Sequence, residues 1–229
     1  MALTAGATGL QLHYGGTFDP IHNGHLAIAL AASEHFGVAV RLVPAADPPH
    51  RARPGATARQ RLAMVQLAIA GLPQLVADPV ELVRAEACPL RPSYTVDTLA
   101  ALRQQHGPRV PLAWLIGGDS LVSLERWHRW QDLFRLGHVV VVARPGSDML
   151  DRLPSAIAAA VSGGGWTGDR QQLLHEPAGC LYRLEMPLRG ESSTRVRESV
   201  ARGEDITGLV PAPVAGYVTG HQLYGVDGT

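Results

Sequence analysis

Cysteine is scarce in this chain: Cys88 and Cys180 are the only two among 229 residues. A pair could bridge, but two cysteines are no disulfide framework of the kind that staples small secreted domains. Long apolar runs are missing too, since none approaches the roughly 20 residues that cross a bilayer. The opening Met-Ala-Leu-Thr-Ala-Gly lacks the basic start and apolar core of a signal peptide. Excess charge of one sign is absent: Lys and Arg total 20, and so do Asp and Glu. That balance argues against a nucleic-acid polymer as partner and makes any anion site a local one. There is no internal repeat and no long linker. Hydrophobic residues at 46% and charged ones at 17% describe a globular rather than a disordered chain. The expectation is a cytoplasmic protein without a membrane partner, folded as one domain over 1–229.

What is present starts with Gly15-Gly16-Thr17-Phe18-Asp19-Pro20-Ile21-His22-Asn23-Gly24-His25-Leu26. Leu10 to Tyr14 before it alternates as a short strand would, and the apolar run from Leu26 to Ala32 continues as a helix to Phe36-Gly37. The stretch therefore reads as strand, glycine turn, helix start. Paired glycines let a ligand approach the backbone, and a helix N-terminus offers N–H groups suited to phosphate. His22 and His25 can face one way across the first turn and add imidazole donors. Zinc would need further ligands, and no third one lies nearby. A P-loop is excluded by the missing Gly-Lys-Ser/Thr ending, and a dinucleotide fingerprint by the missing third glycine.

Further along, Ala39 to Pro44 is a strand candidate. It leads into a proline-rich loop to Gly55 that carries His50, Arg51 and Arg53 and reads as either a solvated basic turn or a ligand loop. Thr57 to Ala70 has helical spacing, with Leu62, Val65 and Ile69 on one face and Gly71 ending it. Leu75 to Leu82 suggests a strand that Pro79 bends or places at an edge. Ser93 or Thr95 is a plausible cap for a helix reaching His106-Gly107. Ala113 to Ile116 is a buried strand followed by Gly117-Gly118-Asp119-Ser120, where Asp119 could cap a helix or hold a ribose hydroxyl. Trp127 and Trp130 stand three apart, a spacing usual in cores. Val139 to Ala143 is a buried strand, Met149 to Val161 a helix, Ser162 to Gly165 a loop, and Leu181 to Leu184 a last strand. The stretch from Trp166 to Ala178 carries little signal. In Glu191-Ser192-Ser193-Thr194-Arg195-Val196-Arg197 a hydroxyl cluster opens a helix with basic residues in its first turns. Such cations oppose the helix dipole, and a bound anion would account for them.

The first motif resembles the signature of the nucleotidyltransferases with a His-x-Gly-His motif, and within them most closely the bacterial nicotinate-nucleotide adenylyltransferases. Six separated segments, in order from about Gly15 to Tyr224, carry the likeness. It implies a Rossmann-like, doubly wound α/β fold with a mainly parallel sheet and a small helical C-terminal part, from about residue 185 to 229. It implies transfer of the adenylyl group of ATP to nicotinate mononucleotide, with Mg2+ carried by ATP rather than by a protein metal site. His22, His25 and Arg197 would hold the triphosphate. Gly15, Gly16, Thr17 and Phe18 would line the nucleotide site, Asp119 the ribose, and Ser193 and Thr194 the phosphates. Arg51 stands where the family usually has lysine. Thr95 falls in the segment that recognises the nicotinate end, and Trp127 falls where a tryptophan lies against the pyridine ring. His128 follows it in place of a frequent aromatic, and Glu191 replaces an aliphatic residue. Another adenylyl- or cytidylyltransferase of the superfamily, such as one acting on pantetheine phosphate, is the nearer alternative; a non-catalytic nucleotide sensor is the farther one. Oligomeric state is left open.

Overall fold

Strand β1 (Gln11–Gly16) is buried along Leu12, His13 and Tyr14 without alternation. That is the pattern of a strand covered on both faces, as in a parallel sheet. The polar position His13 is fully buried, its ring stacked on Trp114 at 6.3 Å. The computed structural model of the chain describes residues 9–46, 54–88, 92–143, 153–187 and 190–225. These group into two compact units, one drawn from 14–94 and 186–229 and the other from 1–13 and 95–185.

In the first unit, helix α1 (Asn23–Phe36) buries Leu26, Ala29, Ala32 and Phe36 at helical spacing. Gly37 closes it at φ 70°, where its N–H bonds the Ser33 carbonyl. Strand β2 (Val40–Pro44) leads to α2 (Ala58–Ile69), which Thr57 and Gln60 cap reciprocally. The short β3 (Leu75–Ala77) and α3 (Val80–Ala87) follow. The C-terminal part is helical as expected, with α9 (Ser193–Ala201) and α10 (Ala212–Gly220). In the second unit, α4 (Thr95–His106) precedes β4 (Leu112–Gly117), α5 (Gly118–Val122), α6 (Trp130–Leu136) and β5 (His138–Ala143). Then come α7 (Ser155–Ala160), β6 (Trp166–Thr167), α8 (Arg170–His175) and β7 (Leu181–Glu185).

The strands lie in the order β3-β2-β1-β4-β5-β7-β6. The pairs β2–β3, β4–β5, β5–β7 and β6–β7 are parallel. This is the doubly wound arrangement expected: the strand order runs outward from β1 to β3 and resumes with β4 on the other side of β1, and ligands gather at the carboxyl ends of strands at such a switch. Every residue of β5 is buried, so Val139 to Val142 form its apolar centre.

Three elements depart from the sequence expectation. Only Leu75–Ala77 is a strand; Pro79 caps α3 instead of bending a longer strand, because its fixed φ and missing N–H suit a helix start. The buried stripe of α2 is Arg61, Met64, Val65 and Ala68, one position round from the predicted face, and its first member is a cation. The helix predicted from Met149 is Ser155–Ala160 among the described residues; 144–152 lie outside them. The weakly patterned stretch after Trp166 holds a two-residue strand and a six-residue helix.

Candidate active site

The carboxyl end of β1 delivers Gly15 and Gly16 to a turn whose shape depends on the missing side chain at Gly16. A Cβ there would sit 2.9 Å from the Phe18 ring. Phe18 itself is held at φ 50°, a conformation that costs an ordinary side chain about 1–2 kcal/mol. Its ring is buried and meets Tyr14 edge-on at 5.5 Å and His25 at 5.0 Å. Packing of one aromatic side chain thus sets the path of the loop. Thr17 contributes its carbonyl to Arg61 Nη1 at 2.6 Å.

His22 is the N-cap of α1. The backbone N–H of His25 donates to His22 Nδ1 at 3.4 Å, and the N–H of His22 donates to His25 Nδ1 at 3.3 Å. The result is a capping box built from two imidazoles. Because both Nδ1 atoms accept, each neutral ring carries its proton on Nε2. The rings stack at 3.6 Å, a distance at which two imidazolium cations would repel. His22 is 6% exposed, and burial pushes its pKa down to about 4 against a smaller opposing pull from the Glu191 carboxylate. Near neutral pH His22 is therefore an uncharged N–H donor. Gly24 keeps the space beside it open: a Cβ would lie 3.0 Å from His22 Nδ1 and 3.4 Å from the Glu191 carbonyl. No acidic residue occupies the first turn of α1.

Helix α9 closes on the same loop. Ser192, not Ser193, is its N-cap, accepting from Arg195 N at 3.1 Å. Ser193 donates its hydroxyl to the Pro20 carbonyl at 3.0 Å, and Thr194 is exposed. Arg197 donates to the Asp19 carbonyl at 2.7 Å and to Thr194 Oγ1 at 3.3 Å, with Nη1 3.8 Å from Asp19 Oδ2. Part of the positive charge read from the sequence as anion-seeking is thus anchored within the protein. The Arg197 side chain keeps 36% exposure. The structure brings Gly15, Gly16, Thr17, Phe18, His22, His25, Ser193, Thr194 and Arg197 together in one unit.

The other expected positions are placed differently. Arg51 lies outside the described residues. Thr95, Asp119 and Trp127 belong to the second unit. Thr95 opens α4, half-buried, while Ser93 is spent in a bond to Glu81 at 2.8 Å. Asp119 is exposed in the first turn of α5. Trp127 is half-buried after a 3-10 turn over Leu124–Arg126, whereas Trp130 is buried in the core against Phe134. The two tryptophans thus differ in burial, Trp130 in the core and Trp127 half-buried.

Sequence reasoning assigned no role to Asp19 or Arg61. Asp19 accepts from Gly55 N at 2.9 Å, Ala56 N at 3.1 Å and the Tyr224 hydroxyl at 2.8 Å. Arg61, 1% exposed, donates to the carbonyls of Thr17, Ala46 and Ala56. The one available signal was a cation standing in the apolar stripe of α2.

This fold and site define a nucleotidyltransferase-type α/β protein, and residues 13–199 match the cytidylyltransferase-like family model. A probable nicotinate-nucleotide adenylyltransferase of Stenotrophomonas maltophilia is 53% identical over 215 residues, covering 94% of this chain and 96% of that protein. One of Xylella fastidiosa is 42% identical over 95% of this chain and 97% of its own. Among solved structures, the Plasmodium falciparum nicotinic acid mononucleotide adenylyltransferase complexed with NaAD superposes with a TM-score of 0.69. It shares 15% identity, and the match covers 94% of this chain and 97% of that one, which is agreement in fold. The chain belongs to the nicotinate-nucleotide adenylyltransferase family.

Proposed function

We propose that this protein transfers the adenylyl group of ATP to the phosphate of nicotinate mononucleotide, giving deamido-NAD and pyrophosphate. The observation that carries the reading is the pair of capping imidazoles at the start of α1, with protons on Nε2 and Arg197 in the same unit. The nucleophile is a phosphate oxygen, already ionised at neutral pH, so the step needs no general base. The oxygen attacks the α-phosphorus, the bond to the bridging oxygen breaks, and pyrophosphate leaves with the electron pair. What the protein has to supply is alignment and stabilisation of charge.

Neutral His22, and His25 with its proton on Nε2, suit that task, since fixed N–H donors stabilise developing negative charge without a proton transfer. Arg197 adds the full positive charge, and the backbone of Gly15, Gly16, Thr17 and Phe18 lets the nucleotide approach. Thr194 would donate its hydroxyl to a phosphate oxygen, Ser193 would do so by turning its hydroxyl from the Pro20 carbonyl, Asp119 would hold the ribose, and Arg51 would add charge. Thr95 and Trp127 would receive the nicotinate ring. Magnesium would enter with ATP and neutralise its phosphate oxygens. Among the described residues no three His, Cys, Asp or Glu side chains gather as a metal cage. Asp19, the carboxylate of the motif, is already bonded to two amides and a phenol.

Pyrophosphate release from ATP, measured with nicotinate mononucleotide, nicotinamide mononucleotide and pantetheine phosphate as acceptors, tests the proposal. Release dependent on nicotinate mononucleotide is expected. Dependence on pantetheine phosphate, or no release with any acceptor, would contradict it.

A further inference from the structure

We infer that Tyr224 is a positioning residue for the phosphate site: its hydroxyl holds the Asp19 carboxylate and so leaves the Arg197 guanidinium available to the triphosphate. The inference rests on the transfer reading above for its ligand. Its geometry lies within one unit.

The Asp19 side chain is 8% exposed and makes contacts on both oxygens. Oδ1 accepts from Tyr224 Oη at 2.8 Å and from Ala56 N at 3.1 Å; Oδ2 accepts from Gly55 N at 2.9 Å. Arg197 Nη1 stands 3.8 Å from Oδ2, too far for a hydrogen bond, and instead donates to the Asp19 main-chain carbonyl at 2.7 Å. Three donors thus occupy the carboxylate that the arginine would otherwise pair with directly. The Tyr224 ring is built into place. A Cβ on Gly55 would fall 2.9 Å from Tyr224 Cδ1 and Cε1 and 3.9 Å from Arg197 Cδ, so that glycine fits between the phenol and the arginine stem. Gln222 and Tyr224 both take φ values in the left-handed region, at 52° and 63°, where side chains are disfavoured. Burial and the adjacent Asp19 charge push the phenol's pKa up, so it stays a donor at any ordinary pH.

Removing the hydroxyl frees a lone pair on Oδ1. The carboxylate is then held by the Gly55 and Ala56 amides alone, so that it can turn about its Cβ–Cγ bond, bring Oδ2 within bonding distance of Arg197 Nη1 and lower the charge the arginine offers to phosphate.

The test is ATP binding by calorimetry, with thermal melting as the control for folding. Tyr224→Phe is expected to weaken ATP binding by about tenfold, the scale of one hydrogen bond to a charged group. Tyr217→Phe, which alters a phenol outside the site, should leave affinity unchanged. In an Arg197→Ala background Tyr224→Phe should add nothing, because the two act through one contact. Unaltered affinity in Tyr224→Phe, or single losses that multiply in the double variant, would overturn the inference. Should the variant fold poorly, 3-fluorotyrosine at 224 keeps the fold and reports directly. Its 19F resonance should shift when ATP binds and should not shift in Arg197→Ala; no shift in the otherwise unmodified protein overturns the inference. These readouts need ATP alone. A protein that passes them but transfers nothing to nicotinate mononucleotide would strike the transfer reading and leave this one standing.

Discussion

At the scale of single residues, His22 does two jobs that substitution can separate. Its Nδ1 caps α1, and its Nε2–H is the donor aimed at phosphate in the proposed reaction. His22→Asn keeps a side-chain acceptor at the N-cap and should therefore melt close to the unmodified protein. His22→Ala loses the cap as well and should be destabilised by about 1 kcal/mol. Both should lower turnover by about 10²–10³, the usual effect of deleting a donor at developing charge. Equal stability of the two variants would refute the capping role, and near-normal turnover in both would refute the phosphate role. The proton count of the same ring is a second observable. Its folded pKa of about 4 lies below the ordinary histidine value of 6.5 because burial disfavours the charged form. The unfolded chain then binds more protons between those two values, so stability falls as pH drops from about 6.5 toward 4. Buried His138, whose pKa is also lowered, adds in the same direction. An NMR titration should place the His22 midpoint near 4; a midpoint near 6.5 would contradict its burial.

At the scale of elements, α9 and α4 each carry an arginine whose use depends on what faces it. Arg197 faces the Asp19 loop, while Arg195 is exposed on the same helix. Arg197→Ala should cut kcat/KM strongly and Arg195→Ala only slightly; equal effects would remove the assignment. On α4, Arg103 donates to the carbonyls of Leu136, Gly107, Val110 and Pro177, tying the end of that helix to the end of α6 and to the turns before β4 and β7. Arg103→Ala should lower stability by about 1–3 kcal/mol in denaturant unfolding, because four acceptors lose their donor together. No change in midpoint would show that water replaces the arginine without cost.

The same elements show what could be read in advance. The strand, turn and helix around Gly15 to Phe36 were legible because their signals are local: glycines, helix formers and a terminal Gly37. The Val139 to Ala143 strand was legible because full burial leaves an unbroken apolar run. Arg61 and Arg103 were not, since their partners are backbone carbonyls that any residue could supply. Tyr224 was hidden for another reason: it meets Asp19 across 205 positions, and no periodicity encodes such a contact. Pro79 misled because a proline fits a strand edge and a helix start equally well.

At the scale of the whole molecule, the chain contains no lysine; all 20 basic residues are arginine. Planar, multidonor guanidinium groups can bind carbonyls and phosphates from fixed positions, which suits cations that brace loops and, in the proposed reaction, would hold an anion. Acceptor choice is the property on which the proposed reaction is most exposed. Nicotinate and nicotinamide mononucleotides differ by a carboxylate against a neutral amide on one ring. In the proposed reaction, donors at the start of α4, with the Thr95 hydroxyl, would favour the anion through charge-assisted hydrogen bonds. The amide would present its own N–H2 to them at a cost of about 1–3 kcal/mol. Thr95→Ala should shrink the preference, whereas Trp127→Ala should weaken both acceptors alike, since stacking does not distinguish the rings. The deciding measurement is kcat/KM for dinucleotide formation from ATP with each of the two mononucleotides. The account predicts deamido-NAD formation favoured by about tenfold to a hundredfold; equal use of both, or failure to use the acid, would contradict it.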